Sequence, residues 1–182
     1  MMQRTSRNSK IRFVLALTVL LSTFTIAQHS NTPHIHAGSI ELAAQGSFTY
    51  TSGNRDLSFG VRSNYFFSAG PQLLSFGLES AISNTRSFTR FDNRLLLGAY
   101  KDLPDSPIYL RLTATGGLRQ EKLGSFWLSR YSMGLMPGLH VLVGNKAAFF
   151  AEYHLQRILD DPIQNFTEHR LQIGISLFLR NK

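Results

Sequence analysis

Glu152 and His154 stand two apart in the run FFAEYHL. Side chains alternate along an extended strand, so both leave one face, and a carboxylate beside an imidazole can orient it as a base. Ser132 and Ser176 are the hydroxyls such a base could activate, which would be acyl-transfer or hydrolytic chemistry. His34 and His36 keep the same spacing in QHSNTPHIHA, where two imidazoles could share a metal. No carboxylate or cysteine follows before Glu41, so the ligand set stays incomplete and neither a metal nor another cofactor is expected. No triad is defined around Glu152 and His154, so the chain is read as a non-enzyme, with catalysis kept as an alternative.

A larger constellation consists of charges. Glu41, Arg62, Glu79, Arg94, Arg111, Arg130, Glu152 and Arg170 each fall on the Ser/Gly/Asn side of an alternating run, opposite Leu, Ile, Val or Phe. The stretch Leu57–Ser83 shows the pattern most clearly. Leu57, Phe59, Val61, Tyr65 and Phe67 oppose Arg62, and after Ser68-Ala69-Gly70-Pro71 the residues Leu74, Phe76, Leu78 and Ile82 oppose Glu79. Period-two alternation on both sides of a Gly-Pro turn predicts a β-hairpin. Arg62 and Glu79 then lie on adjacent strands and are expected to pair, with Arg111 and Arg130 as other candidates. Each run holds about 10–12 residues, against about 5–6 for common strands and about 9–11 for a tilted strand that crosses a bilayer.

Six further alternating runs follow this rule: Gly38–Tyr50, Phe91–Lys101, Ser106–Gly117, Trp127–Val143, Ala147–Leu155 and His169–Arg180. Eight strands result. Their connections alternate between a longer, more polar set (Thr51–Asp56, Ser83–Arg90, Leu118–Phe126, Gln156–Glu168) and a short Gly/Pro-marked set (Ser68–Gln72, Asp102–Asp105, Gly144–Lys146). Short turns on the side of the termini and longer loops opposite are the arrangement of bacterial membrane barrels. Aromatic residues gather near the strand ends: Phe48, Tyr50, Phe91, Trp127 and Tyr131 at one rim, Tyr65, Phe67 and Phe149 at the other. Pro137 interrupts the sixth run and cannot donate a ladder bond, so a bulge is expected around Met136–Gly138, with Gly138 in a strained conformation. An arginine facing lipid at mid-depth costs about 2–4 kcal/mol, so in a membrane the charges must point inward. The expected fold is all-β, an eight-stranded antiparallel up-and-down transmembrane β-barrel with a polar, charge-filled lumen.

The chain holds 182 residues, 43% hydrophobic and 16% charged, which suits one packed domain and excludes wholesale disorder. Arg4, Arg7, Lys10 and Arg12 precede the apolar run Phe13–Ala27, the form of a cleaved export signal over residues 1–27. Residues 28–37 read as a flexible lead-in and 38–182 as the barrel. Loss of the signal's four basic residues lowers the formal charge from +8 to +4, too scattered for nucleic acid. There is no cysteine, hence no lipid anchor on a cysteine and no disulfide.

The segments LSFGVRSNYFF-SAGPQLLSFGLESAIS and LMPGLHVLVG-NKAAFFAEYHL resemble the hairpins of small outer-membrane barrels of the OmpA/OmpX type, the outer membrane protein beta-barrel domain family. The resemblance spans about Gly38 to Arg180. It implies an integral protein of the outer membrane of a Gram-negative envelope, with outer-membrane lipid and the barrel-insertion machinery as partners. The family commonly ends on an aromatic residue, whereas this chain ends Phe178-Leu179-Arg180-Asn181-Lys182. Eight strands leave room only for side chains, so Arg and Glu are expected to plug the lumen, and the role to be structural or one of surface interaction through the outer loops. The alternatives are a selective ion path along those charges, a soluble lipocalin-like barrel around a small apolar ligand, and a small lipid-modifying outer-membrane enzyme.

Overall fold

The structure is a computed structural model that describes residues 35–51, 54–84, 88–144, 146–159 and 167–180. The export signal and most of the lead-in lie outside the described residues. Eight strands follow in chain order: β1 Ser39–Thr51, β2 Asn54–Ala69, β3 Gln72–Asn84, β4 Thr89–Asp102, β5 Ile108–Leu123, β6 Phe126–Val143, β7 Ala147–Ile158 and β8 Thr167–Arg180. Each pairs antiparallel with its sequence neighbours, and β8 returns to β1 to close the barrel. Closure removes every long sheet edge, which suits a chain without disulfides.

The register sets the tilt. Paired residues run from Leu42 through Ser63, Leu78, Leu95, Gly116, Met133 and Arg157 to Thr167, which stands beyond His169, the partner of Tyr50 on β1. One circuit therefore climbs about ten residues, a stagger that tilts eight strands by roughly 40°. A strand the length of β1 then rises on the order of 30 Å, enough to cross a bilayer core.

The two faces are chemically opposite. Leu57, Phe59, Val61, Ile173 and Leu78 project outward and are 64, 70, 63, 60 and 58% exposed, while Glu41, Arg62, Glu79, Arg94, Arg111, Glu152 and Arg170 project inward and are at most 3% exposed. Water would penalise that outer face, whereas lipid accepts it, as expected of a transmembrane barrel. Polar pairs also stand on the outer face, among them Ser80 Oγ, which donates to Asn93 Oδ1 at 2.8 Å.

The strands extend further than hydrophobic periodicity predicts. Leu118–Phe126, expected as a loop, continues the β5–β6 ladder up to Leu123 opposite Phe126, and a left-handed Gly124 (φ 62°) makes the turn. Beyond the lipid no apolar face is required, so Arg119, Gln120, Glu121 and Lys122 form strand without the pattern that would reveal it. Thr51–Asp56 shortens in the same way, since β2 begins at Asn54.

The bulge at Pro137 is not found. β6 is continuous, Pro137 faces Leu112 on β5, and the pairing to β7 skips Met136 and Pro137 before resuming in the same register. Gly138 keeps a negative φ. The missing N–H is accommodated by two unpaired positions, without an added residue.

At the end that carries the termini, the lumen holds an apolar floor. Phe66, Tyr100, Tyr109, Leu142, Ala148 and Phe178 pack together with Ile35. The Phe66 and Tyr100 rings meet edge-on at 5.0 Å. Ile35, assigned by sequence to the flexible lead-in, is buried there, and its N–H donates to Tyr109 Oη at 3.2 Å. An apolar side chain next to an apolar opening gains by entering it.

Candidate functional site: the charged lumen

Inward positions recur at every second residue of every strand, so the lumen gathers polar groups far apart in sequence. Above the floor lies a first cluster. Arg62 Nη1 donates to Glu152 Oε2 at 2.6 Å and Nη2 to Glu41 Oε1 at 3.2 Å. Arg111 Nη1 donates to Glu152 Oε1 at 3.0 Å, and His140 Nε2 lies 3.0 Å from that same oxygen. Asn64 Nδ2 and Ser176 Oγ also donate to Glu41, the former at 2.6 Å. The guanidinium of Arg62 lies 4.4 Å above the Phe150 ring, and that of Arg111 5.1 Å above Tyr100. Stacked, charge-paired arginine is the guanidinium's favoured buried setting.

A second cluster sits nearer the loop end. Asp92 accepts from Arg94 at 3.1 Å, from Arg119 at 2.9 Å and from Arg170 at 2.7 Å. Arg119 grips Glu168 with both terminal nitrogens, one at 2.8 Å, and Arg94 pairs with Glu79. At the mouth Arg90 bridges Glu121 at 2.9 Å and Asp56 at 3.2 Å. The first cluster balances Arg62 and Arg111 against Glu41 and Glu152, and the second balances Arg94, Arg119 and Arg170 against Glu79, Asp92 and Glu168. Each is neutral in its arginines and carboxylates, the condition under which buried charge persists.

Small residues make the crowding possible. A Cβ at Gly138 would lie 2.4 Å from Glu152 Cγ, and one at Gly174 would lie 2.4 Å from Phe150 Cζ. Glycine opposite a large inward side chain lets that side chain cross the lumen.

The expected pairing of Arg62 with Glu79 is not the one formed. The two are register partners on β2 and β3, yet Arg62 reaches across to Glu152 and Glu41 while Glu79 binds Arg94. Long side chains in a narrow lumen meet partners on distant strands as readily as on the next one. Arg130 lies on the inward face of β6 opposite Arg119, half-buried toward the loop end. Sequence reasoning missed Asp92, Arg119, Glu168 and His140. Asp92 and His140 carried a signal, since each shares its strand face with an expected charge, whereas Arg119 and Glu168 fell in segments assigned to loops. The Glu152–His154–Ser constellation is not assembled: His154 Nε2 bonds Thr115 Oγ1 at 2.9 Å, Glu152 holds His140, and Ser176 donates to Glu41. Among the described residues no group of three or more His, Cys, Asp or Glu is placed to hold a metal.

No protein-family model matches the sequence, and neither does any curated protein. Solved structures do. The fold is that of small outer-membrane barrels. Neisserial surface protein A superposes with a TM-score of 0.58 at 15% identity, over 76% of this chain and 95% of that one. The N-terminal β-barrel domain of Pseudomonas aeruginosa OprF gives 0.56 at 15% identity, over 79% and 98%. Ail, the attachment invasion locus protein of Yersinia pestis, gives 0.52 at 11% identity, over 79% and 100%. At these identities the likeness is one of fold.

Within this barrel fold the expected interface aromatics point outward at both ends. Tyr50, Trp127 and Tyr131 are 49, 55 and 62% exposed near the loop end, and Tyr65 and Phe149 are 49 and 43% exposed near the other. Phe67 is half-buried beside them. Trp127 contacts the Phe91 ring at 6.0 Å and lies 5.8 Å from Lys122 Nζ.

Proposed function

We propose that the chain is an integral outer-membrane protein with a structural or surface-interaction role, in a barrel whose lumen is closed by its own ion pairs. The observation that carries this reading is the inversion of the two faces, exposed Leu, Ile and Phe outside against buried, paired Arg and Glu inside. A lipocalin-like barrel needs the reverse, an apolar cavity and a charged exterior. A lumen occupied by two charge-balanced clusters above an apolar floor favours closure over an ion path. Surface interaction is supported by the β5–β6 hairpin, which presents Leu123 and Phe126 at its tip, the latter 77% exposed. It is supported too by the names of two similar proteins, one a surface protein and one an attachment protein. Outer-membrane lipid and the insertion machinery are the partners such a barrel requires.

Membrane fractionation tests this reading. The mature chain should sediment with outer membranes, resist carbonate extraction, and migrate faster unboiled than boiled on a detergent gel. Recovery as a soluble periplasmic protein without a heat-dependent shift would favour the ligand-binding alternative.

A further inference from the structure

Near the loop end, the acidic side chains of the described residues are confined to the inner face of the barrel wall. Among the described residues the acids there, Asp56, Asp92, Glu121 and Glu168, all project inward, where arginines hold them. The outward face carries two arginines instead, with a histidine and a tyrosine between them. Arg157 is the next-to-last residue of β7, His169 the third of β8, Tyr50 the next-to-last of β1 and Arg55 the second of β2. Tyr50 is the register partner of both His169 and Arg55, and Arg157 faces Thr167, two residues from His169. The four residues thus form one unbroken arc over β7, β8, β1 and β2. All four are exposed.

The arc is built and not only charged. Tyr153 Oη is hydrogen-bonded to His169 Nδ1, with the rings 5.9 Å apart. That contact fixes the imidazole and turns Nε2 away from the tyrosine. Neither Arg55 nor Arg157 makes an ion pair among the described residues. Directly below lie Leu155 and Leu171, so the arc marks the level at which the apolar belt ends. Two guanidiniums at a lipid–water boundary match the charge and geometry of phosphate, which arginine binds by paired N–H donors. Tyr50 and Tyr153, 49 and 44% exposed, offer amphipathic rings suited to the headgroup layer. At the opposite end the outward face of the described strands carries Lys101, with no such arc.

We propose that Arg55, Arg157 and His169 form a docking site for the phosphate-bearing headgroup of an outer-leaflet lipid. The site rests on the proposed outer-membrane residence. It selects the phosphorylated headgroup through charge-assisted hydrogen bonds, while the acyl chains lie along the apolar wall beneath.

Native mass spectrometry of the full folded barrel in nonionic detergent tests this, with bis-phosphorylated lipid A as the probe and the same lipid stripped of phosphate as control. Wild type should retain the phosphorylated lipid at least roughly tenfold better than the stripped one, and Arg55→Gln with Arg157→Gln should abolish that preference. Lys101→Gln should leave it intact. Each variant is first shown to keep the compact unboiled gel form. A folded double variant that still discriminates, or a wild type that retains both lipids alike, would overturn the site alone. Inorganic phosphate that displaces the lipid at equal concentration would make this a free-anion site and overturn it too. A wild type without the compact form would overturn the barrel reading and the site with it.

Discussion

Arg62 and Glu152 meet across the lumen at 2.6 Å although they are 90 residues apart and their strands, β2 and β7, share no ladder. Glu152 also accepts from Arg111 and contacts His140, so one carboxylate holds three side chains from β2, β5 and β6. The barrel wall is thereby braced through its centre as well as around its circumference.

Removal of that carboxylate should be costly. Glu152→Leu leaves two buried arginines short of a partner, and a broken buried pair costs about 3–5 kcal/mol. The temperature at which the unboiled gel form is lost should fall clearly. Arg62→Leu should fall too, and the Arg62/Glu152 double variant should lose less than the sum of the singles. The Arg62/Glu79 double variant should show weaker coupling than the Arg62/Glu152 pair, because these register neighbours form no ion pair. Strong coupling in the second cycle and none in the first would mean that the partners have been exchanged.

Glycine positions give a steric test. Gly138→Val must displace Glu152, whose Cγ would lie 2.4 Å from the new Cβ, while Gly116→Val meets nothing within 4 Å on the outer face. Overpacking of this kind costs about 1–3 kcal/mol. Refolding yield and heat stability should drop for Gly138→Val and hold for Gly116→Val. Equal behaviour of the two would show that the lumen at Glu152 is looser than described.

Topology is open to labelling. Ser125→Cys, in the tip of the β5–β6 hairpin, should react with an impermeant thiol reagent on intact cells. Gln72→Cys, at the short turn after β2, should react only after the outer membrane is breached. The opposite pattern would invert the barrel.

Much of this architecture was legible in sequence because lipid enforces a strict alternation. Wherever a strand touches the bilayer, as at Leu57–Phe67 or Leu171–Leu179, a slip of one residue would bury apolar groups and expose Arg62 or Arg170 to lipid. Strand number, order and face followed from that. Beyond the bilayer the constraint lapses, which is why Arg119 and Glu168 were hidden although Arg119 holds Glu168 with both terminal nitrogens. Pair identity was illegible for another reason. Register places Arg62 beside Glu79, but which carboxylate a long guanidinium chooses depends on room across the lumen, here granted by Gly138 and Gly174. Pro137 misled because a gap in one ladder serves as well as a bulge.

The central claim, that ion pairs close the lumen of a membrane-spanning barrel, is tested most directly by current through planar bilayers. Purified wild-type protein, inserted in its compact heat-modifiable form, should add no reproducible conductance steps above the protein-free bilayer. Arg62→Ala with Glu152→Ala, which empties the first cluster, should admit small ones. Stable steps from the wild type, unchanged in the double variant, would contradict a lumen sealed by these side chains.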